Sequence, residues 1–368
     1  MAITQVSIDE FLTLSQEHPV LDVRSPGEFT HAHIPCAHSL PLFTDEERKV
    51  VGTAYKQESK QIAIKLGLDF FGKKMVNMLA EVEKIIASLS VSEKRKEENK
   101  PATLLVHCWR GGMRSAGVAW LLDLYGYKVY TLTGGYKMYR RWALQQFEKD
   151  YPIQIIGGYT GSGKTEALQK LISEHNCIID LEKMASHKGS AFGNLGQAPQ
   201  PSQEMFENEL AKALFGASGQ CIKILAAGGS PVIWMEDESQ RIGDVNIPTN
   251  FYRSMRNKKL YFLNIPFEER LNFIVTHYGK FEKEKLLNAI ERIKKRLGGQ
   301  ETKTAVNCLL EDDIKGCFTV LLYYYDKFYL KGLQSRENFD KLFHKIELDT
   351  VSPEQTSRKL IDYCQLSA

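Results

Sequence analysis

The chain has 368 residues, seven cysteines and a formal net charge of +3. That length exceeds one ordinary core and predicts two domains, while 43% hydrophobic and 25% charged residues describe a globular protein and exclude fibrous and disordered classes. The mild positive balance is compatible with a nucleic-acid partner without demanding one, and an odd cysteine count with no C-x-x-C pair excludes a disulfide framework and a structural zinc site.

No apolar run approaches the length of a membrane span and the first residues form no leader pattern, so no membrane partner is expected and the expected location is cytoplasmic. Residues 8–14 have helical spacing, Val20-Leu21-Asp22-Val23-Arg24 reads as a short buried strand, and Ser25-Pro26-Gly27 marks a turn. His31 and His33 follow; without a third ligand they read as packed side chains beside a turn, not as a metal pair. Residues 45–89 are expected to be largely helical, with Val76, Leu79, Val82, Ile85 and Ile86 on one face, and the mixed charges of 92–100 read as a solvated loop. Thr103-Leu104-Leu105-Val106 is the next strand, and after Cys108 a helix carries Val118, Leu121 and Leu122. Val129-Tyr130-Thr131-Leu132 is another strand, closed by Gly134-Gly135, and a helix is expected over 136–150. This alternation predicts a parallel sheet covered by helices, with a domain boundary near residue 150.

In the second half, strands are expected at Cys177-Ile178-Ile179-Asp180, at Pro231-Val232-Ile233-Trp234-Met235 and at Lys259-Leu260-Tyr261-Phe262-Leu263. Residues 181–193 read as a loop, 203–215 as a helix, 281–329 as helical and rich in Lys, Leu and Tyr, and 350–366 as a closing helix.

Two stretches carry chemistry. Gly158-x-x-x-x-Gly163-Lys164-Thr165 is the pattern of a P-loop, with Ile153, Ile155 and Ile156 leading in and an amphipathic run leading out. Gly158, Gly161, Ser162, Gly163, Lys164 and Thr165 are its candidate ligands for a phosphate or diphosphate, a nucleotide included, since backbone N–H groups, a helix start and a mobile lysine charge suit an anion. A strand ending in Glu236 and Asp237 could hold Mg2+ beside Thr165, with Asp180 a competing acid at another strand end. The second stretch is His107-Cys108-Trp109-Arg110-Gly111-Gly112-Met113-Arg114-Ser115. A thiol between a strand and a helix start, beside Arg110 and Arg114, is expected to be an activated thiolate. Two basic stretches complete the inventory: Arg253 and Arg256 lie in one, and Arg292, Lys295 and Arg296 in the other. Both suit nucleic-acid phosphates.

Leu21-Asp22-Val23-Arg24, Glu28-Phe29, His33-Ile34-Pro35, the Cys108 loop and Leu132-x-Gly134-Gly135 together resemble a rhodanese domain. That resemblance implies a cysteine that handles sulfur or selenium. Ala32 and Cys36 stand where the family's pattern has glycines, and Cys36 is a second candidate thiol. Five residues separate Cys108 from Arg114, where sulfurtransferases of this fold usually have four. Five is the cysteine-phosphatase spacing, whose wider loop wraps a tetrahedral phospho-anion.

Asn264-Ile265-Pro266-Phe267-Glu268-Glu269-Arg270 resembles a strand and helix start of small P-loop kinases. Over almost its full length the chain resembles the bacterial tRNA 2-selenouridine synthase family. The further blocks are Asp45-Glu46-Glu47-Arg48, Gly52-Thr53-x-Tyr55-Lys56-Gln57, His187-Lys188-Gly189-Ser190-x-Phe192-Gly193, Gln200-Pro201-Ser202-Gln203, Glu236-Asp237-Glu238-Ser239-x-Arg241-Ile242-Gly243 and Lys295-Arg296-Leu297-Gly298-Gly299. The resemblance implies an α/β protein: a rhodanese-like parallel-sheet domain over 1–150, then a P-loop NTPase-like parallel-sheet domain over 151–368 with a basic helical C-terminal region that binds tRNA.

It further implies exchange of sulfur for selenium at the 2-position of wobble uridine 34. The thio group would first be S-geranylated from geranyl diphosphate, and selenium from selenophosphate would then displace it. On that reading Cys108 is catalytic, Arg110, Gly111, Gly112, Arg114 and Ser115 bind selenophosphate, and the P-loop binds the diphosphate. No tightly bound cofactor is expected, Mg2+ is a candidate ion, and the partners are tRNA, geranyl diphosphate and selenophosphate or its synthase. Three other readings stand beside it: a P-loop kinase or ATPase fused to a sulfurtransferase, a rhodanese-fold cysteine phosphatase, and a non-catalytic tRNA-binding protein.

Overall fold

A computed structural model describes residues 3–89, 101–173, 177–226 and 231–366; the charged run 92–100 lies outside the described residues. The chain divides into two compact units, Met1–Gln145 and Gln146–Ala368.

In the first unit, strands β1 (Thr4–Val6), β2 (Val20–Asp22), β3 (His38–Ser39), β4 (Thr103–His107) and β5 (Lys128–Leu132) form one sheet in the order β1-β5-β4-β2-β3. Every pairing in it is parallel. Its helices are α1 (Ile8–Leu14), α2 (Pro26–His31), α3 (Asp45–Gln57), α4 (Lys60–Gly72), α5 (Met75–Ser88), α6 (Met113–Leu124) and α7 (Gly135–Gln146). Leu104, Leu105 and Val106 of the central strand β4 are fully buried, which is why that strand reads as an unbroken apolar run instead of alternating. Leu21, Leu104, Val106, Val118 and Leu122 share one core with Phe71 and Val82.

The helical stretch expected over 45–89 is three helices, because capping signals interrupt it. Thr44 accepts the Glu47 N–H at 3.2 Å while the Glu47 carboxylate accepts the Thr44 N–H at 2.8 Å, a reciprocal cap. Ser59 restarts the chain by accepting the Ile62 N–H at 3.2 Å.

The second unit holds β6 (Ile153–Gly158), β7 (Cys177–Ile179), β8 (Ile233–Glu236), β11 (Leu260–Asn264) and β12 (Phe343–Glu347) in the order β12-β11-β6-β8-β7, all parallel. A small antiparallel ribbon pairs β9 (Arg241–Ile242) with β10 (Val245–Asn246). The helices are α8 (Lys164–Ser173), α9 (Leu181–Ala185), α10 (Gln203–Ala226), α11 (Thr249–Arg256), α12 (Phe267–Tyr278), α13 (Lys283–Leu297), α14 (Gly299–Leu310), α15 (Ile314–Gln334), α16 (Phe339–Leu342) and α17 (Pro353–Leu366).

Several of these elements differ from the sequence reading. The expected loop 181–193 opens with α9, which Asp180 caps by accepting the Lys183 N–H at 2.8 Å. The helix from Gln203 continues to Ala226, and the expected long helical stretch is broken at Gly298 (φ 104°) and again before Asp313, which caps α15. Strand β12 was not expected at all. Because all five main strands run the same way, Gly158, Asp180 and Glu236 emerge at one carboxyl edge, the edge at which open α/β sheets bind ligands.

Candidate active site

The first unit presents Cys108 in the turn between β4 and α6. The chain folds back against it: the Tyr136 N–H donates to the Cys108 carbonyl at 2.8 Å and the Lys137 N–H to the Trp109 carbonyl at 3.0 Å. Only glycine fits at 135, where φ is 58° and a Cβ would fall 2.3 Å from the Cys108 carbonyl oxygen and 2.4 Å from the Gly111 nitrogen. The Cys108 Sγ is buried; it accepts the Gly112 N–H at 3.3 Å and lies 3.3 Å from the Ser115 hydroxyl.

Burial pushes that thiol up, but the Ser115 hydroxyl and the N–H groups of Ser115, Arg110 and Gly112 outweigh it and hold the thiol below its ordinary value. The arginines expected to do this are placed otherwise. Arg110 is exposed, and Arg114 Nη1 donates to Glu28 Oε2 at 2.9 Å, an oxygen that also takes Arg48 Nε at 2.8 Å. Burial raises the Glu28 carboxyl; Arg114 first and then Arg48 more than offset this and hold it low. Behind the loop, the Arg24 guanidinium is buried, chelates Asp22 at 2.5–3.0 Å, and lies 3.8 Å from the Tyr136 ring centroid.

In the second unit the P-loop joins β6 to α8, with φ of 152°, 82° and 71° at Gly158, Gly161 and Gly163. Lys164 Nζ folds back to the Gly158 carbonyl at 3.0 Å. The Thr165 hydroxyl donates to Glu182 Oε2 at 2.9 Å. Distant segments brace the loop. The Gly158 N–H donates to the Tyr329 hydroxyl at 3.1 Å, and that hydroxyl donates to Asp237 Oδ2 at 2.7 Å. Asp237 is also ion-paired with the buried Arg336. Arg270 donates to the Thr160 carbonyl at 3.0 Å and grips Asp326 with two bonds of 3.0 and 2.7 Å.

The three candidate acids thus have other partners. Asp180 caps α9 and accepts Gln169 Nε2 at 2.7 Å. Glu236 is buried, with Oε1 accepting the Glu182 N–H at 2.9 Å and Oε2 unpartnered. Burial first, then the charge of Asp180, pushes its carboxyl well above the usual range. The acid that reaches Thr165 is Glu182. Among the described residues no group of three or more His, Cys, Asp or Glu side chains is arranged to hold a metal. The Thr165–Glu182 pair nonetheless suits Mg2+, which uses one carboxylate together with a substrate's phosphates.

A cavity of about 420 Å³ opens from the P-loop. Its lining includes Lys164, Glu182, Lys188, Asp237, His277 and Arg296 among polar groups and Phe192, Ile274, Tyr278, Phe318, Leu322 and Phe328 among apolar and aromatic ones. Phe192, Tyr278 and Phe318 pack on one another with ring centroids 5.7–6.2 Å apart.

Residues 151–351 match the family described as tRNA 2-selenouridine synthase AAA domain, and residues 7–141 match the rhodanese-like domain. A tRNA 2-selenouridine synthase of Hydrogenovibrio crunogenus is 36% identical over 301 residues, which is 77% of this chain and 76% of that protein. One of Nitrosomonas europaea is 30% identical over 385 residues, 90% of this chain and 93% of its own length. One of Shewanella piezotolerans is 34% identical over 322 residues, 82% of each chain. The chain belongs to the tRNA 2-selenouridine synthase family.

In this tRNA 2-selenouridine synthase family member the basic candidates divide by environment. Arg253 and Lys295 are exposed; Arg292 is exposed and reaches Asn194 Oδ1 at 3.3 Å. Arg256 is tied to α15, bonding the Gly332 carbonyl and the Ser335 hydroxyl at 3.1 Å each. Arg296 faces the P-loop cavity and a second, neighbouring one. Cys36 is exposed with φ 66°, the left-handed region that explains why the family's pattern has glycine at this position. Among the described residues no helix is long and apolar enough to cross a membrane.

Glu182, Arg270, Tyr329 and Arg336 were missed from sequence. Asp180 followed by a short helical pattern could have signalled the cap that delivers Glu182. Tyr329 lies 171 residues from Gly158 and had no local signal.

Proposed function

We propose that the protein is a tRNA-modifying enzyme that converts 2-thiouridine at wobble position 34 to 2-selenouridine through an S-geranylated intermediate. The observation that carries this reading is the P-loop cavity, which is lined both by Lys164 with the P-loop and by aromatic and aliphatic side chains. A diphosphate attached to an apolar chain uses both kinds of lining.

In the first step the thiocarbonyl sulfur attacks C1 of the geranyl group. A C–S bond forms, the C1–O bond breaks, and diphosphate leaves with the bonding pair toward Lys164 and the P-loop N–H groups while the base loses its N3 proton. Mg2+ bound at Thr165 and Glu182 would supply further charge neutralisation for that leaving group. In the second step the selenium of selenophosphate adds at C2 and geranylthiol departs with a proton; water then attacks phosphorus, the P–Se bond breaks, and inorganic phosphate leaves while the selenium stays on C2. Gly111, Gly112, Arg110 and Arg114 are proposed to hold selenophosphate beside Cys108, and Ser115 lowers the pKa of that thiol. Arg253, Arg256, Arg292, Lys295 and Arg296 are proposed contacts for tRNA phosphates, and the division 1–150 and 151–368 is proposed to separate selenation from geranylation.

The test is incubation of the full chain with tRNA carrying 2-thiouridine 34, geranyl diphosphate, selenophosphate and Mg2+, followed by nucleoside mass analysis. Geranylated and selenated uridine are expected, and absence of both would refute the reading.

A further inference from the structure

Beside the P-loop cavity lies a larger, open cavity of about 1260 Å³. The two share Gly189, Ser190, Ser239, Arg296, Tyr324 and Tyr325 in their linings, so they meet at a junction a few side chains wide. The second has its own lining groups: His187, Asn194 and Gln197 line it, and Arg292 and Lys295 of α13 stand at its side. The Gln197 amide and the His187 imidazole offer donors and acceptors of the kind that the edge of a polar heterocycle uses.

Two details point to a ligand here. The first is His187, which lines the cavity, is 8% exposed and has a buried Nδ1 beside Gly193 with no hydrogen-bond partner; burial lowers its pKa. The second is Tyr324 at the junction, half-buried and packed at 4.7 Å on Phe328 and 5.2 Å on Tyr325. An aromatic ring anchored on two others is a stacking platform for a base.

We propose that the second cavity seats the extruded wobble nucleoside of a tRNA, with the base on Tyr324 and its C2 substituent directed through the junction toward the prenyl diphosphate. Arg292 and Lys295 then take the phosphates of the flanking nucleotides, for which a free mononucleotide would have no use. The site rests on the prenyl-transfer reading for its chemistry, because the sulfur must meet C1 beside the diphosphate. An enzyme acting on a base within a folded RNA reaches it by taking it out of the stack, and a separate polar chamber opening onto the reaction point provides the place.

The experiment uses the full chain and two labelled anticodon stem-loops, one carrying 2-thiouridine at the wobble position and one abasic there, with binding read by fluorescence anisotropy. The thiouridine loop is expected to bind about 10- to 100-fold more tightly than the abasic one. Tyr324→Ala should erase that ratio and Tyr324→Phe should keep it. Lys295→Ala should weaken both RNAs alike and reduce the salt slope by about one. Equal binding of the two RNAs by the unaltered protein would overturn the proposal, as would a Tyr324→Ala variant that weakens both equally. Nucleoside analysis of the same protein separates the two ideas. Geranylation without discrimination between the RNAs sinks the site alone, whereas discrimination without any geranylated product sinks the prenyl-transfer reading and leaves the base site standing.

Discussion

At Cys108 the thiol is held below its ordinary pKa by short-range hydrogen bonds, with the Arg114 charge engaged by Glu28. Its lowered pKa has a definite sign: the reactive anion is present above that value and is lost as pH falls through it, and the matching contribution to stability, present above the unfolded thiol's pKa, is lost over the same descent. Ser115 is the largest of the lowering influences. Ser115→Ala should therefore shift the pH midpoint of Cys108 alkylation by iodoacetamide upward, because only the backbone N–H groups then remain to oppose burial; peptide mass spectrometry over pH 6 to 10 reads it, with that range about bracketing ordinary thiol titration. An unchanged midpoint would mean that Ser115 is only a packing residue. Arg114 illustrates the limit of reading a motif by its residue types. Its spacing from Cys108 was legible, but its partner Glu28 lies 86 residues away, and only the folded chain brings the two together.

Elements that end at one sheet edge must be held there, and two junctions carry that task. The first is the Gly134-Gly135 turn before α7, which packs on the backbone of the Cys108 loop. Gly135→Ala combines a positive φ with a backbone clash and should cost about 2–4 kcal/mol, together with loss of selenation; urea unfolding and nucleoside analysis check the two effects. The second is Asp237 after β8, which joins Tyr329 of α15 to Arg336, a side chain 2% exposed. Asp237→Ala leaves a buried cation unpaired and should cost about 3–5 kcal/mol, most of it recovered when Arg336→Met is added.

These junctions also show what sequence could and could not reveal. The P-loop and the Cys108 loop were legible because each is a contiguous stretch whose backbone alone dictates its shape. Asp237 was legible as a strand-end acid, yet its role as an anchor depends on α15, and Glu182 reaches Thr165 only because Asp180 caps a five-residue helix that ordinary helical spacing is too short to announce. Strand β12 was overlooked because Phe343-His344-Lys345-Ile346-Glu347 carries only one fully buried residue, Ile346, and so lacks the apolar run of its neighbours.

Across the whole chain, each unit has its own parallel sheet, its own core and its own anion-shaped loop. Under the proposed function, that separation makes the two chemical steps independently removable. Cys108→Ala should accumulate S-geranylated uridine, with selenation lost and geranylation retained. Lys164→Ala should lose geranylation first, by about 10²-fold or more if the lysine stabilises the departing diphosphate. Equal loss of both steps in the Cys108 variant would show that the units do not divide the work.

The second sheet is interrupted in an unusual place. Strands β11 and β12 are hydrogen-bonded neighbours, yet the chain between them leaves to build α12 to α16 before returning. Because the pair is parallel, with Leu260 opposite Phe343 and Asn264 opposite Glu347, the excursion leaves at one end of the pair and returns at the other, four residues of rise or about 13 Å along the strands, and added length in it costs little to close. The apolar wall from Ile274 to Phe328 belongs to this excursion, whereas Lys164 and Thr165 do not. The excursion therefore serves two ends at once, since Arg270 and Tyr329 within it brace the P-loop: under the proposed function, a longer or shorter segment grafted between the same two strands would re-size the compartment for a different hydrocarbon only if it kept those two side chains.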